Sequence, residues 1–326
     1  MPIYQNYKKK YFLNNNYNSK NLKPMEKSKI VCGKKYGLPF EYLMTDIYSG
    51  CLNLESVCYG NCTAAQFWLK KGYDFGKRVL NDFDSCLFES SIKDLPSKQK
   101  WIRQGWVSDC SFSNESWELT AHISDILLKY DISLLIITKI HKMPSKKIME
   151  KLAKNKTEIR VSLSALDTKV QLEKRLKFLT EYKNMGGISV PYLMSSKYKN
   201  NILKDNQEYI INYIVENNFI AGEHPLRIEK DNPLFSELEN DGFYHPLYKN
   251  QYWFGRILNS IENFVLPPPT HLREDYSLKF NNLTDFQNYF DKTITKNNLP
   301  TYYELKENKY TKEMFDHAAY NTKKYK

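Results

Sequence analysis

Long apolar runs are missing from this chain. No stretch of eighteen apolar residues occurs in its 326 positions, which excludes a membrane-spanning helix by length alone. The first twenty residues hold no apolar segment followed by a small-residue cleavage site, so no secretory signal is expected. Cysteine is scarce. Six thiols in 326 residues are too few for a disulfide scaffold, and a reducing, cytoplasmic setting is expected. Helix-turn-helix, zinc-finger and RNP signatures are absent, and no internal repeat is visible.

What is present fits a globular protein. Hydrophobic residues make up 41% and aromatics 14%, enough for a sizeable core. The formal net charge is +11. Residues 1–30 alone carry seven Lys and one Glu. Such basicity attracts nucleic acid, acidic peptides or anionic surfaces, or serves solubility.

The chain's texture divides it into a basic N-terminal arm (1–38), a central region (39–262) and a C-terminal extension (263–326). PFEYLMTDIYSG at 39–50 is a short strand candidate, and 63–95 has helical stretches. From there the pattern is regular. KWIRQGWVSDCSF (100–112) opens as a strand and breaks into a turn. NESWELTAHISDILLKYD (114–131) is a helix. ISLLIITK (132–139) is a continuous apolar run of the kind buried in a parallel sheet. SKKIMEKLAKN (145–155) is a helix, EIRVSLSAL (158–166) a strand, and DTKVQLEKRLKFLTEYKNMGG (167–187) a helix ending in Gly. ISVPYLM (188–194), NQEYIINYIVENN (206–218) and FIAGEHPLRI (219–228) continue as strand, helix, strand. Strand–helix alternation at this spacing predicts an α/β fold with a parallel sheet and right-handed crossovers. A closed or partly closed barrel and an open doubly wound sheet both satisfy it. In each, the loops after the strands' C-terminal ends form the default site. The tail is aromatic-rich over 243–261, stiffened by FVLPPPTH at 264–271, and carries two modest helical stretches beyond.

Three of the six cysteines crowd into CLNLESVCYGNC at 51–62. Thiolates are soft ligands that select zinc, copper(I) or iron–sulfur. The gaps are six and three intervening residues, not the close pairs of a usual structural zinc. His122, His141 or a distant cysteine would be needed to complete a zinc tetrahedron. Simple burial of the three thiols is the bland reading.

In this position, after the first strand candidate, the cysteine cluster resembles that of the radical S-adenosylmethionine superfamily, and the likeness spans about residues 42–228. It departs from that family in its spacing, and Asn61 stands where an aromatic residue is usual, with Tyr59 two positions earlier. The resemblance implies a partial (β/α)6 TIM-like barrel with an N-terminal arm and a C-terminal helical, aromatic extension. It implies that Cys51, Cys58 and Cys62 hold a 4Fe–4S cluster whose open iron chelates S-adenosyl-L-methionine. It places Tyr59, Asn61, Gly105, Ser108, Asp109, Ser162, Ser164, Arg175 and Tyr192 near that cofactor. Ser162 and Ser164 share one strand face, and inside a barrel a polar face calls for a polar ligand. Arg175 offers a planar fork suited to a carboxylate. Cys110, Glu223 and His224 are candidates for hydrogen or proton handling. The implied activity is reductive cleavage to a 5′-deoxyadenosyl radical that abstracts hydrogen from a peptide or nucleic-acid substrate. An external donor such as flavodoxin or ferredoxin would supply the electron. Two other classes compete: a zinc-stabilised nucleic-acid-binding protein without catalysis, and a degenerate barrel that binds a partner and cleaves nothing.

Overall fold

A computed structural model describes residues 22–34, 43–51, 64–65, 68, 71–93, 95, 101–105, 107–230, 232–244 and 251–265. The expected residues Cys58, Tyr59, Asn61 and Cys62 lie outside this set, as does most of the arm and of the C-terminal extension.

The described elements alternate as the periodicity predicts. We label the principal strands β1 (Leu43–Met44), β2 (Trp101–Gln104), β3 (Ser133–Thr138), β4 (Glu158–Ser164), β5 (Ile188–Ser195), β6 (Ala221–Pro225) and β7 (Phe264–Val265). The helices are α1 (Ser85–Lys93), α2 (Asn114–Leu128), α3 (Lys146–Lys154), α4 (Lys169–Asn184) and α5 (Asn201–Glu216). From β2 to β6 each strand is followed by a helix and then the next strand. This is an α/β fold of parallel strands with flanking helices.

Two compact units divide the chain. The first draws on 1–34, 43–161 and 167–189. In it β1 pairs in parallel with β2 through Met44 and Arg103. β2 pairs with β3, Trp101 opposite Ser133 through Gln104 opposite Ile136. β3 pairs with β4, Leu135 opposite Glu158 through Thr138 opposite Val161. Gly33–Lys34 adds an antiparallel edge beside β1. Residues Lys23–Pro24, from the expected arm, pair with Tyr73–Asp74.

Side-chain chemistry explains which face is covered. Successive strand residues point to opposite faces. Ile102, Leu134, Ile136, Ile159, Val161 and Leu163 are buried almost completely. They share the face on which α2 lies against β3. From α2, Trp117, Ile123 and Leu127 are fully buried, and Thr120 donates its hydroxyl to Gln104 at 3.0 Å. Burying one such large apolar side chain contributes about 1.5–3 kcal/mol. The helices start on side-chain caps: Ser113 and Ser116 form a capping box on α2, Thr168 and Gln171 one on α4, each satisfying backbone N–H groups left open by the first turn. They end on left-handed residues, Asp131 after α2, Lys156 after α3, Gly186 after α4 and Asn218 after α5, which turns the chain back toward a strand.

The second unit draws on 35–42, 162–166 and 190–326. In it β5 pairs in parallel with β6, and β6 with β7. Three short antiparallel strands, Ile228–Glu229, Gln251–Trp253 and Phe243–Tyr244, make a separate sheet. Its core holds the fully buried Trp253 and Phe254. Tyr252 donates its hydroxyl to the Glu239 carbonyl and accepts from Gly242 N–H, both at 2.7 Å.

Candidate functional site

Within the first unit, two carboxylates tie together the segments after β1, β2 and β3. Asp46, just past β1, accepts the Gly105 N–H at 2.7 Å and the Val107 N–H at 2.8 Å. Gly105 has φ +88°, and a Cβ there would sit 2.1 Å from the Ile137 carbonyl oxygen. Glycine is required at this point because one backbone crosses another. The sequence reading expected a close approach to a cofactor; the close neighbour is β3 itself.

Asp109 is the second lock. It accepts from Ser111 N–H at 2.8 Å, Ser111 Oγ at 2.6 Å, Thr138 Oγ1 at 2.7 Å and Lys139 N–H at 2.7 Å. Burial pushes its carboxyl up, but His141, the Ser111 hydroxyl and the backbone N–H groups of Lys139 and Ser111 outweigh that and hold it below the usual range. His141 Nε2 lies 3.6 Å from Asp109. Burial lowers His141 to about 4, against the pull of Asp109 and with help from Arg175, Lys139 and Lys174. The imidazole is therefore neutral near pH 7, and its contact with Asp109 is not an ion pair there. His141 stacks on Phe112 with ring centres 4.5 Å apart, and the Arg78 guanidinium lies 4.0 Å from the Phe112 ring centre.

This loop carries backbone strain. Ile140 has φ +47°, a true outlier for a β-branched residue. It is held there by burial of its side chain, by Ile140 N–H bonding Thr138 Oγ1 at 3.0 Å, and by His141 N–H bonding Ser111 Oγ at 2.8 Å. Strain of this kind costs about 1–3 kcal/mol and concentrates at functional sites.

The face opposite the helices has a different chemistry. On β4, Glu158, Arg160, Ser162 and Ser164 alternate with Ile159, Val161 and Leu163. Glu158 accepts from Arg160 Nε at 2.6 Å. In register with them stand Arg103 on β2 and Ile137 on β3, followed by Lys139. Arg103, Gly105, Ile137 and Lys139 are half-buried, whereas their neighbours Ile102, Gln104, Ile136 and Thr138 are fully buried. The charged face is thus mixed, because Leu135, Glu158, Arg160 and Ser164 on it are buried.

The other expected residues fall as follows. Ser108 is buried, and its hydroxyl has no hydrogen-bond partner among the described residues. Ser164 Oγ accepts the Leu166 N–H at 3.2 Å and closes a turn; Ser162 is half-buried. Arg175 is buried, pairs with the buried Asp167, and donates Nε to the Lys139 carbonyl at 2.6 Å. That makes it an internal tie between two loops. Cys110 is fully buried, and burial followed by the charge of Asp109 raises its thiol well above the ordinary range.

In the second unit, Tyr192 and His224 share one face of β5–β6, their rings edge to face at 5.7 Å. Glu223 is on the other face and fully buried. It accepts from Ser195 Oγ at 2.7 Å, Ile257 N–H at 2.7 Å and Leu258 N–H at 3.1 Å, and faces Arg256 Nε at 3.5 Å. Burial raises its carboxyl above the usual value despite those partners. It ties β5 and β6 to residues 256–258.

The radical S-adenosylmethionine resemblance is corrected by the geometry. Among the described residues, no group of three or more His, Cys, Asp or Glu side chains comes together to hold a metal ion. Cys51 packs beside Met25, Ala65 and Phe75, an apolar cluster. Burial pushes the Cys32 thiol up to about 12, and metal-binding sulfur must be thiolate. His122 meets Ser85 Oγ at 3.3 Å and His141 meets Asp109, and among the described residues neither joins a zinc-holding group. The 4Fe–4S cluster, S-adenosyl-L-methionine as cofactor, the radical activity and the enzyme assignment are withdrawn with that motif, and the expected electron donor loses its role. No family model matches the chain, and no curated protein or solved structure matches it.

Sequence reasoning missed two features. His141 was weighed only as a zinc ligand, though it lies one turn of chain past an apolar strand, where loop residues meet. Arg103 and Arg160 were passed over. The period-two pattern Glu158, Arg160, Ser162, Ser164 was the available signal, and only its serines were read.

Proposed function

We propose that this chain is a partner-binding protein built on a degenerate, partial (β/α)6 TIM-like barrel, acting without cofactor cleavage. The observation that carries this reading is the division of β2–β4 into an apolar face and a charged one, where Arg103 and Lys139 are half-buried beside the buried Glu158–Arg160 pair. Charged groups are expensive to place in a sheet interior unless they are paired or serve recognition. The loops beside it are preorganised by Asp46 and Asp109, so little order remains to be lost on binding. The strained Ile140 lies in the same loop cluster. The chain's excess of Lys and Arg favours an anionic partner, with peptide and nucleic acid as the macromolecular classes. Among the described residues no helix is long and apolar enough to cross a membrane.

The test is a thermal-shift panel on the full chain with three probes: an acidic peptide, a single-stranded oligonucleotide and inorganic pyrophosphate. Binding to the folded state raises the melting temperature with probe concentration. The reading expects at least one probe to do so and to be recovered chemically unchanged. It fails if none raises the melting temperature, or if a bound probe is turned over.

A further inference from the structure

We infer that the lysine-rich outer side of α3 with its flanking residues, 142–156, is a docking surface for the sugar–phosphate backbone of double-stranded nucleic acid, held by charge and without reading bases. This goes beyond the partner-binding reading above, because it concerns the helix layer and not the charged sheet face.

The charge is concentrated in one stretch. Residues 142–156 hold six lysines, Lys142, Lys146, Lys147, Lys151, Lys154 and Lys156, against one acid, Glu150. Lys146 meets Glu150 at 3.8 Å, and Lys151 meets Asp125 of α2. The ammonium groups of Lys142, Lys147, Lys154 and Lys156 form no ion pair with a described residue, and all four residues are exposed. Lys147 and Lys154 stand seven residues apart, on one side of the helix and about 10.5 Å apart along its axis. Lys142 precedes the helix and Lys156 follows it. The helices that pack against α3 are α2 and α4. On α4, Lys169 and Lys177 are matched by Glu173 and Glu181 at 3.9 and 3.7 Å, Lys174 donates to the His141 carbonyl, and Arg175 is buried on Asp167. On α2 stand Glu115, Glu118 and Asp125 with no Lys or Arg, so the positive surface ends there.

Two of these lysines stand where a helix disfavours them. Lys146 and Lys147 are the first residues of α3 after its Ser145 cap, and the first turn holds no acid. A helix N-terminus carries partial positive charge and N–H groups without intrahelical partners, so cations there are repelled. An anion laid over this turn is attracted by the ammonium groups and by the backbone together. A local rule broken in this way marks a functional place.

What the surface lacks selects the partner. The apolar side of α3 is already used: Ile148, Met149, Leu152 and Ala153 are buried. None of the exposed large hydrophobic residues lies in 142–156, so the stretch has nothing to insert into lipid. It holds no aromatic residue, so unpaired bases have nothing to stack on. It holds no Arg, so no guanidinium fork is there to read a guanine edge. What remains is a row of point charges. A duplex offers about one negative charge per 1.7 Å of its axis. An extended acidic peptide offers at most one per ~3.4 Å, with alternate side chains facing away.

The experiment is fluorescence anisotropy of the full chain with two labelled DNA duplexes of unrelated sequence, followed across salt concentration. A single-stranded oligonucleotide and vesicles of phosphatidylserine and phosphatidylcholine are the comparison arms. Wild type, the double variant Lys147→Gln, Lys154→Gln and the single variant Lys93→Gln are compared, each checked by circular dichroism and melting temperature. Lys93 is exposed at the end of α1 and reports general loss of charge. The expected result is equal binding of both duplexes, weakening with salt. The double variant should bind about tenfold more weakly, and its slope of log affinity against log salt should be shallower by about two. Lys93→Gln should leave the slope unchanged. A folded double variant with the wild-type slope would overturn the assignment, including the case in which the lysines of residues 1–30 carry the binding. So would a Lys93→Gln slope that falls as far, a tenfold difference between the two duplexes, or tighter binding to the single strand or to the vesicles. If the duplexes fail while the acidic peptide or pyrophosphate still raises the melting temperature, this surface is wrong and the partner-binding reading stands. If no probe binds, both fall.

Discussion

The carboxylate of Asp109, in the loop after β2, accepts the backbone N–H of Lys139, in the loop after β3, at 2.7 Å. One side chain thereby sets the position of a neighbouring strand's end. With Thr138, Ser111 and His141 also around it, this carboxylate organises the whole loop cluster beside the charged face.

Asp109→Asn tests that role. An amide has one acceptor oxygen where the carboxylate has two, and it brings donors to a site that already supplies them. The expected loss is about 2–4 kcal/mol of unfolding free energy by urea titration. A loss under about 0.5 kcal/mol would show that the loops hold without it.

His141 makes stability depend on pH. Its folded value is about 4 against an ordinary 6.5, so between those values the unfolded chain binds the proton and the native chain does not. Stability from this residue is complete above pH 6.5 and falls as pH drops toward 4, by at most ~3 kcal/mol. Asp109, held low, contributes in the same direction: its stabilisation is lost as pH falls through its folded value. Melting temperature followed from pH 7 to 4 should fall less steeply in His141→Gln than in wild type. Parallel curves would mean that the imidazole is not held neutral.

Gly105→Ala should be far more costly than Gly186→Ala. Both glycines have positive φ, but an added Cβ at 105 meets the Ile137 carbonyl at 2.1 Å, and at 186 it meets nothing within 4 Å. The expected costs are about 1 kcal/mol at 186 and ~3 kcal/mol or more at 105. Equal losses would remove the close backbone crossing from the account.

Arg175→Met should destabilise strongly, by about 3–5 kcal/mol, because it leaves Asp167 buried without its counter-charge. It also removes the Nε bond to the Lys139 carbonyl. The double variant Asp167→Asn, Arg175→Met should lose clearly less than the sum of the two single variants. Simple additivity would show that the two side chains act independently.

The alternation of elements was readable from 100 to 225 because its signals are local. The apolar run at 132–139 became β3 at Ser133–Thr138, and the pattern over 114–131 became α2 at Asn114–Leu128. Gly186 ends α4 with the positive φ that its position implied. α5 begins earlier than the reading, at Asn201. Ile202 in its first turn is exposed, so no buried apolar stripe marks the start, which is set by the Asn200 cap accepting the Ile202 and Leu203 N–H groups. The stretch 63–95, read as having helical stretches, holds α1 but also strands at Tyr73–Asp74 and Val79–Leu80; their partners lie far away in sequence, at Lys23–Pro24 and Tyr48–Ser49. The site was less legible for the same reason. Asp109 was singled out as a cofactor contact, and its bonds to Thr138 and Lys139 and its contact with His141, which cross about 30 residues, were not visible. Arg175 read as a solvated or ligand-facing cation, and it is buried against Asp167. Three clustered cysteines drew attention because a short spacing is visible in one dimension. A charged face assembled from β2, β3 and β4 is visible only after the strands are paired.

Hydrogen–deuterium exchange of the full chain, alone and with the acidic peptide, the oligonucleotide or inorganic pyrophosphate, tests the central claim most directly. The account predicts added protection with at least one of them in peptides covering 103–113 and 137–145, the loops that border the charged face of β2–β4. Protection confined to other segments, or no change with any of the three at saturation, would contradict it.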